Sequence, residues 1–361
     1  MQLSILIATN RAGLLACSRI AQACSWAGPN LEVIVRDNSG DAEKRALLPH
    51  FRRDNCDIII ADPCDGLTNL SEGLRLAKGE FVFLLADDDF CFDHAIASLP
   101  GVLGQCRKDP SVVGVTGAYV IEGSQGSSIV SYQNAESDDV AARVGGYLSY
   151  SGPNILHYAP IRREIVQSVF TFMNTLPFFF SFHDQIVCLL YLLKGKFVRL
   201  NRLLYLYDVG VWEAGNSAQK RDVDFYKDAG LDPVINKLHW FLCGFEGAVL
   251  VRNSNAFPDY SLAQRQAIAD RWFSEMFMRF KGHARLTFES RFTAEADKLC
   301  AKLQTSTGQL SFQGMLTEIC GLIAVFSKDN AQRYHDFWDA VLNRRKPIQR
   351  VAGVAAEKRA V

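Results

Sequence analysis

Three consecutive carboxylates, Asp87, Asp88 and Asp89, follow the apolar run Phe81-Val82-Phe83-Leu84-Leu85-Ala86. Adjacent anions repel, so a chain places three of them at the end of a buried segment only with compensation. A hard divalent cation bound through oxygen supplies it in one reading. A solvated acidic turn leading into a helix, with Asp93 ahead of His94-Ala95-Ile96, is the other. Polar residues also stand where three further apolar runs stop: Thr9-Asn10-Arg11, Asp37-Asn38-Ser39 and Asp62.

The elements that present these residues are legible from periodicity. Residues 3–8, 31–35, 57–61 and 81–85 read as short buried strands. A helix capped by Thr9 or Asn10 is predicted to run to Trp26, with Leu14, Leu15, Ile20 and Cys24 roughly on one side, stopped by Gly28-Pro29. Asn69 and Glu72 have capping-box spacing for another helix, closed by Lys78-Gly79. Strands separated by helices predict an α/β domain with parallel strands and right-handed crossovers. Ligands of such sheets bind beyond the carboxyl ends of the strands, where all four polar clusters fall.

At 361 residues, 48% apolar and 22% charged, the chain is globular and holds one large or two ordinary domains. Lys+Arg and Asp+Glu balance at 39 each, which leaves no global basic field for nucleic acid. The cysteines are scattered without C-x-x-C spacing, which argues against a zinc site and for reduced, buried thiols in a cytosolic protein. The expectation is a soluble chain, at most peripheral to the inner face of the membrane. The longest apolar stretches, residues 238–251 and 308–326, are interrupted by Glu246 and Glu318.

After Pro110 the pattern changes. Residues 112–120 and 128–132 read as strands around a Gly/Ser turn, 162–172 and 183–193 as helices, and 197–207 as a further strand. Beyond about Trp212 the chain turns mainly helical, with long amphipathic segments at 262–280 and 331–342 that suit a core better than a membrane surface. The basic tail, residues 343–361, is expected to fray.

Three segments in this order, Ser4-Ile5-Leu6-Ile7-Ala8-Thr9-Asn10-Arg11, Glu32-Val33-Ile34-Val35-Arg36-Asp37-Asn38-Ser39 and Ala77-Lys78-Gly79-Glu80-Phe81 with its Asp triplet, resemble the inverting family 2 glycosyltransferases of the GT-A fold. The resemblance covers roughly residues 1–210. Asn69 and the full triplet look closest to the branch that builds bacterial surface polysaccharides, abequosyltransferase-like enzymes included. It implies a Rossmann-like mixed sheet flanked by helices over residues 1–212. A mainly helical region, 213–361, would then serve acceptor binding or oligomerisation.

The resemblance also implies roles. Asp89, with Asp87 directly or through water, would hold Mn²⁺ or Mg²⁺ against the diphosphate of a UDP-, dTDP-, CDP- or GDP-linked sugar. Asp88 would reach sugar hydroxyls or metal-bound water. Asp37 would accept from base or ribose, with Thr9, Arg11 and Asn69 in the same donor pocket. Asp37 is equally readable as a turn residue and Thr9 as a helix cap. An acidic general base is implied near the start of a later helix, where His183-Asp184-Gln185 stands beside Phe178-Phe179-Phe180 and Phe182. Asp184 is the first choice for that base, a simple helix-terminal residue being its other reading. His183 is the alternative base or a positioning group. Trp212 suits sugar stacking from a closing loop, or a core.

Departures from the family pattern bear on specificity. The tyrosine usual after the first strand is missing from Ala8-Thr9-Asn10, and Leu70-Ser71 replaces a frequent Arg-Asn. Arg271-Trp272 has Ile268 where processive polymerases carry Gln, so single-sugar addition is expected. The acceptor would be a glycan, a lipid-linked glycan or a protein. Two other readings are a sugar-1-phosphate nucleotidyltransferase, whose usual Gly-rich loop residues 7–13 lack, and a non-catalytic carbohydrate-binding protein on the same fold.

Overall fold

The computed structural model describes residues 1–124, 126–150, 154–209, 217–253, 260–282, 290–306 and 310–343. It divides into two compact units, residues 1–171 with 182–221, and residues 172–181 with 222–361. Trp212 and the basic tail beyond Asn343 lie outside the described residues.

The first unit opens with four parallel strands alternating with helices. In order they are β1 (Leu3–Thr9), α1 (Leu14–Ser25), β2 (Leu31–Asp37), α2 (Ala42–Leu47), β3 (Cys56–Ile60), α3 (Gly66–Leu76) and β4 (Phe81–Leu84). β1, β2 and β4 are short runs buried along nearly their whole length, as a sheet covered on both sides requires, whereas β3, expected to be buried, lies at the sheet edge with Asp57 and Ile60 exposed. There follow β5 (Phe90–Cys91), α4 (Asp93–Cys106), β6 (Val112–Gly123), β7 (Gly126–Val130) and α5 (Val140–Leu148). The unit ends with β8 (Ile161–Arg162), α6 (Arg163–Met173), α7 (His183–Lys194) and β9 (Lys196–Asp208).

The strands form one mixed sheet in the order β3-β2-β1-β4-β8-β6-β9-β5, with β7 added on β6. β3, β2, β1 and β4 are mutually parallel, and β8 is antiparallel to both its neighbours. The chain moves outward from β1 through β2 to β3, then returns to lay β4 on β1's other side. That reversal puts the topological switch point between the carboxyl ends of β1 and β4.

Register across the switch point is fixed at the opposite ends of these strands. Ser4 on β1 pairs with Glu32 on β2, and its hydroxyl donates to the buried carboxylate at 2.6 Å. Glu32 accepts in turn from the backbone N–H of Lys78 at 2.6 Å and of Gly79 at 3.1 Å. Gly79 also donates to the Ser4 hydroxyl at 2.8 Å, and a Cβ there would lie 2.5 Å from the Ser4 nitrogen. The turn before β4 is therefore pressed against β1, and only glycine fits.

Three expectations about helix ends are corrected. Helix α1 starts after Gly13, so Thr9 is the last residue of β1 and not a cap. Leu15 is exposed; the buried face of α1 carries Ala16, Cys17, Ile20, Ala23 and Cys24. Helix α3 is capped by Asp65, whose carboxylate accepts from the Thr68 N–H, so Asn69 and Glu72 form no capping box. At α3 the Asp65 carboxylate takes the first-turn donor and leaves Asn69 for tertiary contacts, while α1 has Gly13 at its N-terminal cap position and no side-chain cap.

The second unit is helical: α8 (Ser217–Asp228), α9 (His239–Asn253), α10 (Leu262–Gly282), α11 (Thr293–Ser306), α12 (Phe312–Phe326) and α13 (Lys328–Leu342). The stripe Ile268, Trp272, Met276 and Phe280 on α10 is buried, and the Trp272 indole donates to the Cys243 carbonyl on α9 at 3.0 Å. Residues 233–253 are the one described segment long and apolar enough to cross a membrane, and 89% of that stretch is buried. Its carboxylate, Glu246, is itself buried and accepts from the Tyr334 hydroxyl at 2.7 Å.

We expect Gly79→Ala to cost about 1–3 kcal/mol by forcing backbone against backbone, read as a lower midpoint in denaturant unfolding. A second expectation concerns His157, whose pKa is lowered to about 4 by burial of the ring. The unfolded chain takes up this proton near pH 6.5 and the folded one does not, so stability falls as pH drops from about 6.5 towards 4. His157→Phe keeps the ring contacts with Tyr158 and Phe170 and should show a shallower loss of Tm across that window.

Candidate functional site

The switch point gathers the polar strand ends around one ammonium group. The register of β1 with β2 places Thr9 opposite Asp37. Lys44, in the first turn of α2, reaches back between them with its side chain fully buried. Its Nζ lies 2.9 Å from Asp37 Oδ1, and it donates to the Thr9 hydroxyl at 2.6 Å and the Arg11 carbonyl at 2.7 Å. Asp87 Oδ2 lies 3.9 Å from the same nitrogen and accepts a hydrogen bond from the Thr9 hydroxyl. Sequence reasoning missed Lys44. No local signal marked it, since in this six-residue helix Lys44 also falls in the last turn, where a cation is ordinary.

Asp37 is wholly buried, with Lys44 on one oxygen and the Ser39 hydroxyl donating to the other at 3.1 Å. It is thus a counterion within the floor of the site. Asn69 joins the same floor. Its amide donates to Asn38 Oδ1 at 3.0 Å and to the Arg36 carbonyl at 3.2 Å, and its Oδ1 accepts from the Arg36 guanidinium. Asn38 donates to the Cys64 carbonyl at 2.7 Å. The residue with apparent capping spacing instead ties α3 to the end of β2.

The triplet is buried and its members differ. Arg11 spans two of them, with Nε 3.2 Å from Asp87 Oδ1 and Nη1 2.7 Å from Asp88 Oδ2. Asp89 makes no ion pair among the described residues. It accepts from the Tyr205 hydroxyl at 2.5 Å and the Asp208 N–H at 3.3 Å, both from the far end of β9. Burial raises the Asp89 pKa to about 7, and the neighbouring Asp88 charge adds to the rise. Tyr205, the Asp208 N–H and Arg11 offset only part of it.

Carboxylate oxygens at one strand end suit Mg²⁺ or Mn²⁺, and an unneutralised buried carboxyl is what such an ion would relieve. Among the described residues, however, no group of three or more His, Cys, Asp or Glu is already arranged to hold a metal. The physical reason is that Arg11 lies across Asp87 and Asp88 while Tyr205 holds Asp89.

Asp184 is the second residue of α7. Tyr158, stacked on Tyr205 with ring centroids 5.4 Å apart, has its pKa raised chiefly by burial. Asp89, Asp184 and Asp88 all add to that rise, so the two acidic groups share Tyr158 as a neighbour. Asp184 is half-buried, and its Oδ1 accepts from the Gln185 N–H at 2.7 Å. Gln185 meets the Tyr147 hydroxyl, which also bonds Asn154 at 2.7 Å. His183 is fully buried with its ring on Phe182 at 4.5 Å, which suits a positioning role. The Asp184 charge also adds to a rise in the Tyr132 pKa that is chiefly due to burial. Phe178, Phe179 and Phe180 instead pack on Tyr334, Phe225 and Tyr226.

No family model matches the sequence, and no curated protein matches it. Among solved structures the chain is similar to S. aureus TarS, with a TM-score of 0.52 at 12% identity over 94% of this chain and 55% of that one. It thus spans about half the length of that protein. Against S. aureus TarS 1–349 in complex with UDP-GlcNAc the TM-score is 0.52 at 14% identity, over 96% of this chain and 93% of the other. The chain has the fold of TarS: a mixed sheet flanked by helices, followed by a helical region.

Proposed function

We propose that the chain is a glycosyltransferase that moves one sugar from a nucleoside-diphosphate donor to a hydroxyl acceptor. The observation that carries this reading is the site at the switch point, where the ends of β1, β2 and β4 bring together the carboxylates of Asp37, Asp87, Asp88 and Asp89 and the basic side chains of Arg11, Lys44 and Arg45. A fold shared with TarS, whose 1–349 structure holds UDP-GlcNAc, supports it. Resemblance to family 2 supports inversion, and the absence of the polymerase signature supports single addition.

In this reading the donor diphosphate lies beyond the triplet, with Asp87 and Asp89 directed to a divalent cation. Bound there, Mn²⁺ or Mg²⁺ supplies charge neutralisation for the departing diphosphate. Asp88 and Arg11 orient the donor around it. Lys44 and Asn69 keep the floor rigid, so that Thr9 and Asp87 do not reorganise when the donor arrives. Asp184 takes the acceptor hydroxyl proton. The acceptor oxygen bonds the anomeric carbon, and the bond from that carbon to the phosphate oxygen breaks on the opposite face. Products are the inverted glycoside and a nucleoside diphosphate. The helical unit serves acceptor recognition, and a bacterial surface glycan made at the cytoplasmic side is the setting the resemblance favours.

Incubation with a panel of UDP-, dTDP-, CDP- and GDP-sugars and Mn²⁺ tests this. Release of nucleoside diphosphate is expected. Pyrophosphate exchange with a sugar phosphate would instead mark a nucleotidyltransferase, and binding without turnover a lectin-like protein. Asp89→Ala should abolish turnover and metal-dependent donor binding, followed by product release and isothermal titration. Asp184→Asn should leave donor affinity within about twofold while transfer falls by the ~10²–10⁴-fold typical of a lost general base. Normal turnover in Asp184→Asn would move the base elsewhere.

A further inference from the structure

One aromatic group beside the triplet has no part in the transferase reading on which this inference rests. Tyr205 on β9 is buried, with its hydroxyl on Asp89 at 2.5 Å and its ring against Phe83 and Tyr119 at centroid distances of 6.3 and 5.9 Å. Tyr158 lies on the Tyr205 ring at 5.4 Å with the two planes only 19° apart, and the Tyr207 ring stands 6.1 Å from it. The backbone that carries Tyr158 is fixed. It ends the single 3-10 turn Ile155–Tyr158, in which Ile155 and Leu156 are buried, and Ala159 after it is buried as well. The His157 ring packs edge-on against Tyr158 at 5.1 Å.

The ring of Tyr158 is thus held while its hydroxyl is not. Tyr158 is half-buried, and among the described residues this hydroxyl has no hydrogen-bond partner. A tyrosine packed on its ring ordinarily places its O–H on an acceptor. Burial raises its pKa, and Tyr207, Asp89, Asp184 and Asp88 add to the rise, so the phenol keeps its proton at neutral pH and can donate. A ligand group that accepts from a phenol and donates to ionised carboxylates suits such a place, and a sugar hydroxyl does both. We propose that Tyr158 reads the sugar of the nucleotide donor, its hydroxyl donating to a sugar hydroxyl oxygen. The stack on Tyr205 ties that contact to the position of Asp89, so sugar and diphosphate are registered against one rigid aromatic set. A nucleoside diphosphate without its sugar does not meet Tyr158.

Tyr158→Phe keeps the ring and its stack and removes the hydroxyl alone. The experiment titrates UDP-GlcNAc, GDP-mannose, dTDP-glucose and CDP-glucose calorimetrically into the full chain, each beside its own nucleoside diphosphate, and compares the ratio of the two Kd values between wild type and variant. For the sugar nucleotide that binds, Tyr158→Phe should raise that ratio roughly three- to tenfold, the scale of one neutral hydrogen bond. Nucleoside diphosphate affinity and Tm should stay as in the wild type. Tyr191→Phe, which removes a wholly buried hydroxyl from α7, should leave the ratio alone. An unchanged ratio in Tyr158→Phe, an equal rise in Tyr191→Phe, or no binding of any sugar nucleotide overturns the proposal. Nucleoside diphosphate release by the wild type beside an unchanged ratio would uphold the transferase and place its sugar elsewhere. A raised ratio without turnover of any donor would uphold the role of Tyr158 and remove the transferase.

Discussion

The ammonium of Lys44 is the contact on which the sheet's working end depends. Three parallel strands finish side by side, and two of them finish in carboxylates that would repel across the gap. One buried cation, held by Asp37, Thr9 and a backbone carbonyl and close to Asp87, turns that repulsion into a joint between β1, β2 and β4. Removing it would leave the buried Asp37 with only the Ser39 hydroxyl and the Arg45 guanidinium at 3.9 Å, the costly half of a weakened internal pair. The polar strand ends can be dense in charge because this group lies beneath them.

A matching joint fixes the other end of the same strands. Glu32 is buried as well, yet its partners are a hydroxyl and two backbone N–H groups, with the Lys78 ammonium only at 3.9 Å. Such neutral donors satisfy a carboxylate without bringing a second desolvated charge. The turn they hold, with Gly79 against Ser4, sets how far β4 advances along β1. A one-residue slip there would reverse the faces of β4 and carry Asp87 away from Thr9. The glycine and glutamate of the sequence pattern are thus register devices, some distance from any chemistry.

Much of this was readable beforehand, for reasons specific to each residue. Runs such as Phe81-Val82-Phe83-Leu84 are apolar on both faces, which is how covered parallel strands must look, and their polar ends marked the site. Local capping patterns were less reliable. Thr9 and Asn69 have the right side chains for helix ends, but Gly13 and Asp65 stand at those ends, and both polar groups make contacts far apart in sequence. Lys44 was invisible because nothing local distinguishes a buried lysine from a solvated one. The hydrogen bond from Tyr205 to Asp89 and the stack of Tyr158 on Tyr205 were equally hidden, since both tyrosines read as ordinary core.

The triplet itself is best understood as two kinds of carboxylate. Asp87 and Asp88 are both paired with Arg11, whose side chain is partly exposed. Asp89 has no ion pair among the described residues; a tyrosine hydroxyl and one N–H hold it, and burial pushes it towards the protonated form. Identical neighbours in sequence have thus been separated by where β9 and the Arg11 arm happen to fall. That asymmetry, more than the count of acidic residues, decides how the site can respond.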